Sequence, residues 1–147
     1  LFLYPDLVSR IVQKPYDLGI NWRGHYVALE LKKVKRGFSF RPQDLFEPPR
    51  KGETESHQWL GLKEAAESGA TAGMFVQFCF ALTDKQRERY NLERYLLDLT
   101  FFISSDIIAQ LGLDYCFELD ELRQKHLQIE KQNGLYDLKP LWRNHFA

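Results

Sequence analysis

The chain of 147 residues has 20 basic and 20 acidic side chains, so its formal net charge at pH 7 is zero. This balance excludes a protein whose whole surface attracts nucleic acid, although a local basic patch still can. The length fits a single domain over residues 1–147, and no run of about 18 apolar residues predicts a membrane span. Cys79 and Cys116 lack metal-ligand spacing, which predicts buried, reduced thiols and a cytoplasmic protein.

The first predicted element is a short helix over residues 4–12. Apolar residues recur there at helical spacing behind Pro5 and Asp6, and proline is favoured in a first turn. Asp6 is suited to cap this helix.

Residues 17–33 predict a hairpin of two strands joined by a turn at Arg23-Gly24. In the second strand Glu30 and Lys32 alternate with aliphatic residues, so they project from the face opposite the aliphatic one. If Arg23 and Gly24 form a two-residue turn, Asp17 pairs with Glu30 and shares its face.

Two opposed carboxylates repel each other, so Asp17 and Glu30 give the sheet no stability by themselves. A divalent cation reverses this effect, because hard cations bind carboxylate oxygens. Lys32 on the same face can orient a water molecule or stabilise a developing anion. Charged residues that alternate with apolar ones are also typical of any half-exposed strand, so a solvated strand face is the alternative.

A basic segment surrounds this hairpin. Residues 23–51 contain eight basic and three acidic residues, and residues 41–51 form a proline-rich stretch that predicts a loop over the site. Such a patch can neutralise phosphates, while solvated loop charge is the alternative interpretation. The candidate DNA-binding residues are Arg23, Lys33, Lys35, Arg36, Arg41, Arg50 and Lys51.

The next helix is predicted to begin at a Thr54 or Ser56 cap and to end at Gly69, with His57 and Gln58 in its first turn. Residues 72–82 then form a buried strand, followed by a charged surface turn or helix over 84–94. A further strand is predicted over 95–103, and a short helix, capped by residues 104–106, ends at Gly112.

The last predicted helix covers residues 118–132. Its apolar residues Leu119, Leu122 and Ile129 have helical spacing, and Asn133-Gly134 stops it. Together these elements predict an α/β fold with a four-stranded mixed central sheet and helices on its faces.

The sequence Pro15-Tyr16-Asp17, followed by Glu30-x-Lys32, resembles the PD-(D/E)xK nuclease motif. The His57-Gln58 pair and Gly73 before a hydrophobic strand narrow the resemblance to RecU-type Holliday junction resolvases. The similarity covers residues 15–80, about half of the chain. The 41–56 segment is longer than in that family, its DNA-remodelling stalk is not recognisable, and Asp6 is a candidate for its upstream acid.

The resemblance implies a restriction-endonuclease-like core and a divalent-metal-dependent DNA endonuclease that cleaves four-way junctions as a homodimer. Mg²⁺ (or Mn²⁺) would be held by Asp17, Glu30 and the carbonyl of Leu31. Lys32 would activate the attacking water, and Gln58 would hold a water or phosphate oxygen. The alternatives are a sequence-specific PD-(D/E)xK endonuclease of homing or restriction type and a non-catalytic nucleic-acid-binding module.

Overall fold

The fold is organised on a mixed β-sheet. A computed structural model describes residues 16–143 and the backbone of Phe2–Leu3. The described strands are β1 (Phe2–Leu3), β2 (Leu18–Trp22), β3 (His25–Val34), β4 (Ser39–Phe40), β5 (Thr71–Ala81), β6 (Leu96–Ser104), β7 (Phe117–Glu118), β8 (Leu127–Gln128), β9 (Lys131–Gln132) and β10 (Leu135–Asp137). The described helices are α1 (Pro42–Leu45), α2 (His57–Glu67), α3 (Asp84–Arg89), α4 (Ser105–Leu111) and α5 (Leu119–Lys125), followed by a 3-10 turn (Lys139–Leu141).

The central sheet has the strand order β2-β3-β5-β6-β8. Strands β3 and β5 are parallel, whereas the other neighbouring pairs are antiparallel. Two small sheets flank it: β1, β10 and β9 form one, and β4 and β7 form the other. The α/β class is therefore confirmed, but this sheet has five strands rather than the four predicted from the sequence.

The hairpin of β2 and β3 has the register predicted from its turn. Leu18 pairs with Leu29 and Trp22 pairs with His25. Arg23 and Gly24 have φ angles of 53° and 82°, and positive φ at both central residues is typical of the tight turns that suit the twist of a hairpin. A turn of this type fixes which residues of β3 face each side of the sheet.

The parallel crossover from β3 to β5 contains α2, which covers one face of the sheet. The Ser56 hydroxyl caps this helix by accepting a hydrogen bond from the main-chain amide of Gln58 at 3.3 Å. Trp59 and Leu62 of α2 are buried. Gly73 of β5 is required by close packing, because a Cβ atom there would overlap the Ile103 carbonyl and the Phe102 ring.

Each face of the central sheet has its own apolar core. On the α2 face, Ala28, Met74 and Phe78 pack with Ile108 of α4 and Leu122 of α5. On the opposite face, strand residues such as Leu29 and Phe75 pack under the C-terminal part of the described chain. The residues that it contributes there are Ile129, Leu138, Leu141 and Trp142.

The prediction of a helix over residues 118–132 is wrong beyond Lys125. The chain leaves α5 at His126, which has extended backbone angles, and continues into β8 and β9. Asn133 and Gly134 have φ angles of 54° and 80°, so they form the turn of the β9–β10 hairpin rather than stopping a helix. Ile129 is buried against the sheet, not along a helical stripe.

Several other predictions from the sequence differ from the structure or fall on residues that it does not describe. Cys116 is exposed and Cys79 is only partly buried, so the prediction of two buried thiols is wrong for both residues. The predicted loop over residues 41–51 begins with the short helix α1. The predicted helix over residues 4–12, with Asp6, lies outside the described residues. No helix in the described part of the chain is long and apolar enough to cross a membrane.

Trp142 closes the second core against the hairpin and gives a direct test of this packing. It is 1% exposed, its ring meets that of Trp22 edge-on at 5.6 Å, and its Nε1 donates to the His25 carbonyl at 3.2 Å. We expect Trp142→Ala to lower the free energy of unfolding by about 3–5 kcal/mol in urea titrations. The control is Leu96→Ala at a side chain that is 57% exposed, and equal losses for the two variants would contradict the packing.

Candidate functional site

The candidate site lies where β3 passes under the N-terminus of α2. The period-two alternation of β3 places Glu30 and Lys32 on the face covered by α2. Lys32 Nζ lies 3.2 Å from Glu30 Oε1 and donates to Gln58 Oε1 at 2.9 Å. The structure thus brings together three residues that are 28 positions apart at most in the sequence.

Glu30 is the buried group of the site. It is 1% exposed, and neither carboxylate oxygen accepts a hydrogen bond of good geometry from the described residues. Burial, and then the negative charge of Asp17, raise the pKa of Glu30 from 4.5 to about 7, although Lys32 opposes the shift. A bound cation would favour the ionised form and supply the partner that these oxygens lack.

Asp17 lies just before β2 and is fixed to β3. Its Oδ2 accepts a hydrogen bond from the Leu31 amide at 2.9 Å, while its side chain stays exposed to solvent. Its negative charge helps to raise the pKa of Glu30, so the two carboxylates lie close to each other. This is the arrangement expected from the turn at Arg23-Gly24.

The donor set suits a hard cation. The Asp17 and Glu30 carboxylates and the carbonyl of Leu31, which follows Glu30 on β3, are oxygen ligands of the kind that Mg²⁺ prefers. Among the described residues, no group of three or more acidic, histidine or cysteine side chains is arranged so that it could hold a metal ion by itself. Water molecules would therefore supply the remaining ligands, since Mg²⁺ usually keeps several of them.

Gln58 joins the site to the segment that precedes α2. Its Oε1 accepts both from Lys32 Nζ and from the Glu47 amide, the latter at 2.8 Å. Glu47 Oε2 lies 3.3 Å from His57 Nε2, and Arg50 Nη2 lies 3.4 Å from the same nitrogen. This role of Glu47 could not be predicted from the sequence, because a main-chain donor carries no side-chain signature.

The candidate DNA-binding residues do not form one patch. Arg50 lies beside His57, and the neighbouring Lys51 is exposed. Arg41 forms an ion pair with Asp44 at 2.9 Å. Arg23 lies over the Trp22 ring at the hairpin turn. It is far from Glu30, because about 17 Å of strand separates His25, next to the turn, from Glu30.

Lys33 faces the side of the sheet opposite Glu30. Burial acts to raise the pKa of Asp98 on that side, but hydrogen bonds from Lys131 and Gln77 lower it overall. The positive charge of Lys33 lowers this pKa further, so Lys33 lies near that cluster. Lys35 and Arg36 are exposed beyond the end of β3.

Comparison with known proteins does not identify the chain. No protein-family model matches the sequence, and no curated protein matches it.

The raised pKa of Glu30 predicts a pH-dependent stability. The folded state holds the proton more tightly than the unfolded state, so this stabilisation is complete below about pH 4.5 and is lost as the pH rises through about 7. Glu30→Gln is neutral throughout. In buffer with a chelator, we expect its stability relative to wild type to rise by about 3 kcal/mol between pH 4.5 and pH 8.

The measurement is the free energy of unfolding from urea titrations across this pH range. Glu53→Gln, at an exposed glutamate, serves as the control and should follow the wild-type curve. Parallel curves for wild type and Glu30→Gln would show that Glu30 is ionised at its ordinary pKa.

Proposed function

We propose that the protein is a divalent-metal-dependent DNA endonuclease that cleaves four-way junctions. The observation that carries the proposal is the buried Glu30 carboxylate, whose two oxygens lack hydrogen bonds within the described residues while Lys32 and Asp17 flank it. Lys32 offsets only part of the cost of burying this carboxylate, because the pKa of Glu30 stays raised to about 7 despite the ion pair, and a bound divalent cation would offset more of that cost. The Glu30-x-Lys32 pattern that resembles PD-(D/E)xK nucleases supports the same chemistry.

Each residue of the site has a role in phosphodiester hydrolysis. Asp17, Glu30 and the Leu31 carbonyl would hold Mg²⁺ (or Mn²⁺), which polarises a phosphate and lowers the pKa of a water molecule. Lys32, held between Glu30 and Gln58, orients the attacking water and stabilises the negative charge that develops on the phosphate. Gln58 fixes the direction in which the Lys32 ammonium points.

The order of elements supports a restriction-endonuclease-like core. An antiparallel β2–β3 hairpin presents the acids, a crossover through α2 brings β5 parallel to β3, and β6 returns antiparallel. The resemblance to RecU-type resolvases supports a branched DNA substrate. A four-way junction requires two symmetric cuts, which favours a twofold-symmetric homodimer.

The test is cleavage of labelled four-way junctions beside linear duplexes of the same sequence. We expect paired, Mg²⁺-dependent nicks in the junction and little cutting of the duplex. Glu30→Gln and Asp17→Asn should each lower the cleavage rate at least about a hundredfold, since each removes a charged oxygen ligand. Both variants should still bind junctions in Ca²⁺.

Asp44→Asn is the matched control, because it removes one negative charge from an exposed position in the basic segment. Wild-type cleavage rates in Glu30→Gln would refute the site. Cleavage of plain duplex at one sequence would indicate a sequence-specific endonuclease instead. Binding without nicking would indicate a non-catalytic module.

The positions of the basic residues predict unequal contributions to DNA binding. Arg50 and Lys51 lie next to the α2 N-terminus, whereas Lys33 faces the other side of the sheet. Each lost phosphate contact removes about 0.9 from the slope of log K against log salt. We therefore expect Arg50→Ala/Lys51→Ala to flatten the slope by about one to two units, and Lys33→Ala/Lys35→Ala to flatten it less. Fluorescence anisotropy across a salt series measures the slope for each double variant. A larger change for Lys33→Ala/Lys35→Ala than for Arg50→Ala/Lys51→Ala would place the DNA path along β3.

A further inference from the structure

An exposed segment next to the site is fixed at both ends. We call residues 47–55 the crossover loop; it runs between buried Phe46 and buried Ser56. Phe46 packs against Trp59 of α2 with ring centroids 5.9 Å apart, and Ser56 caps the same helix. The residues between these anchors, including Arg50 and Lys51, are exposed over 47–54. The loop can therefore meet a phosphate backbone without leaving its anchors.

One hydrogen bond connects this loop to the site through Gln58. The amide oxygen of Gln58 accepts from the Glu47 main-chain amide at 2.8 Å and from Lys32 Nζ at 2.9 Å. A carbonyl oxygen has two lone pairs, so these two donors occupy both. The position of this oxygen, and with it the direction of the Lys32 ammonium, depends on where the loop holds the Glu47 amide.

We propose that the Glu47 main-chain amide is a positioning group for Lys32, acting through Gln58. The proposal rests on the proposed nuclease function and assigns the crossover loop a part in it. When Arg50 and Lys51 contact phosphates, the loop is held, the Glu47 amide holds Gln58, and Lys32 is aligned beside Glu30. Binding of DNA by the loop is thereby coupled to the alignment of the group that orients the attacking water.

The side chain of Glu47 can be separated from its amide. The carboxylate is exposed and lies 3.3 Å from His57 Nε2, whereas the amide points to Gln58. Glu47→Ala removes the carboxylate and keeps the donor. Glu47→Pro removes both, and Phe46 already has the extended backbone, with φ −69° and ψ 149°, that a residue before proline requires.

The main experiment compares the steady-state cleavage of junctions by these two variants. We expect kcat of Glu47→Pro to lie about tenfold to a hundredfold below that of Glu47→Ala, because Lys32 is misplaced. The KM values of the two variants should be similar, since the basic residues of the loop are retained. Equal kcat values, or a change confined to KM, would overturn the proposal.

A double variant tests whether the effect passes through Gln58. Gln58→Met removes the acceptor, so adding Glu47→Pro to it should cause no further loss of kcat. Additive losses would show that the proline acts in another way, such as by distorting the loop, and would overturn the proposal.

A third measurement does not depend on cleavage. Gln58→Glu keeps an oxygen that can accept from Glu47, whereas Gln58→Met does not. We expect hydrogen exchange at the Glu47 amide, followed by NMR, to be about tenfold faster in Gln58→Met than in Gln58→Glu. Equal rates would overturn the contact. If the two variants differ in exchange as expected but the wild-type protein cuts no DNA, the contact is established. The proposed function is then refuted, and the positioning role with it.

Discussion

The structure of the site depends on the burial of one carboxylate. Glu30 lies in the middle of β3, pairs with Met74 of β5, follows the last pair of the β2–β3 ladder (Leu18 with Leu29), and is almost inaccessible to solvent. Removing a charge from water without pairing it costs several kcal/mol, which explains why the surrounding groups are arranged around it. Lys32 supplies a positive charge from the same strand, and Asp17 is fixed opposite by the Leu31 amide. The burial that makes Glu30 unfavourable in the free protein is also what makes it a strong candidate to bind a cation.

The local and the distant parts of the site have different origins. Asp17, Glu30 and Lys32 belong to one hairpin, whose turn sets their register; a slip of one residue would turn Glu30 to the other face of the sheet. Gln58 comes from the crossover, and its orientation depends on the Ser56 cap and on the loop anchored at Phe46. The hairpin therefore provides the charged groups of the site, and the crossover orients the Lys32 ammonium through Gln58.

The sequence was most informative where short-range rules decide the structure. The Arg23-Gly24 turn, the β3 alternation and the Ser104 to Gly112 helix follow from local geometry and were predicted, and Ser56 is one of the two residues predicted to cap α2. Residues 126–132 were mispredicted because their apolar spacing fits a helix, while pairing of β8 with β6 and the hairpin at Asn133-Gly134 override it. The part played by Glu47 was not predictable, since it depends on a main-chain amide and on the path of an exposed loop. Burial of Glu30 likewise depends on β5, which lies far along the chain.

The parallel pairing of β3 with β5 has a consequence for how the protein folds. Partners in this pair, such as Val27 and Thr71, are 44 residues apart, whereas the hairpin that carries the acids closes over a two-residue turn. Hairpins form within about 1–10 microseconds, while contacts between distant segments form more slowly because a long loop must first be closed. The burial of Glu30 is therefore completed only when β5 docks on the hairpin. Because burial is the main cause of the raised pKa, the docked sheet holds the Glu30 proton more tightly than the isolated hairpin does, and the stability gained on docking is expected to fall as the pH rises through about 7.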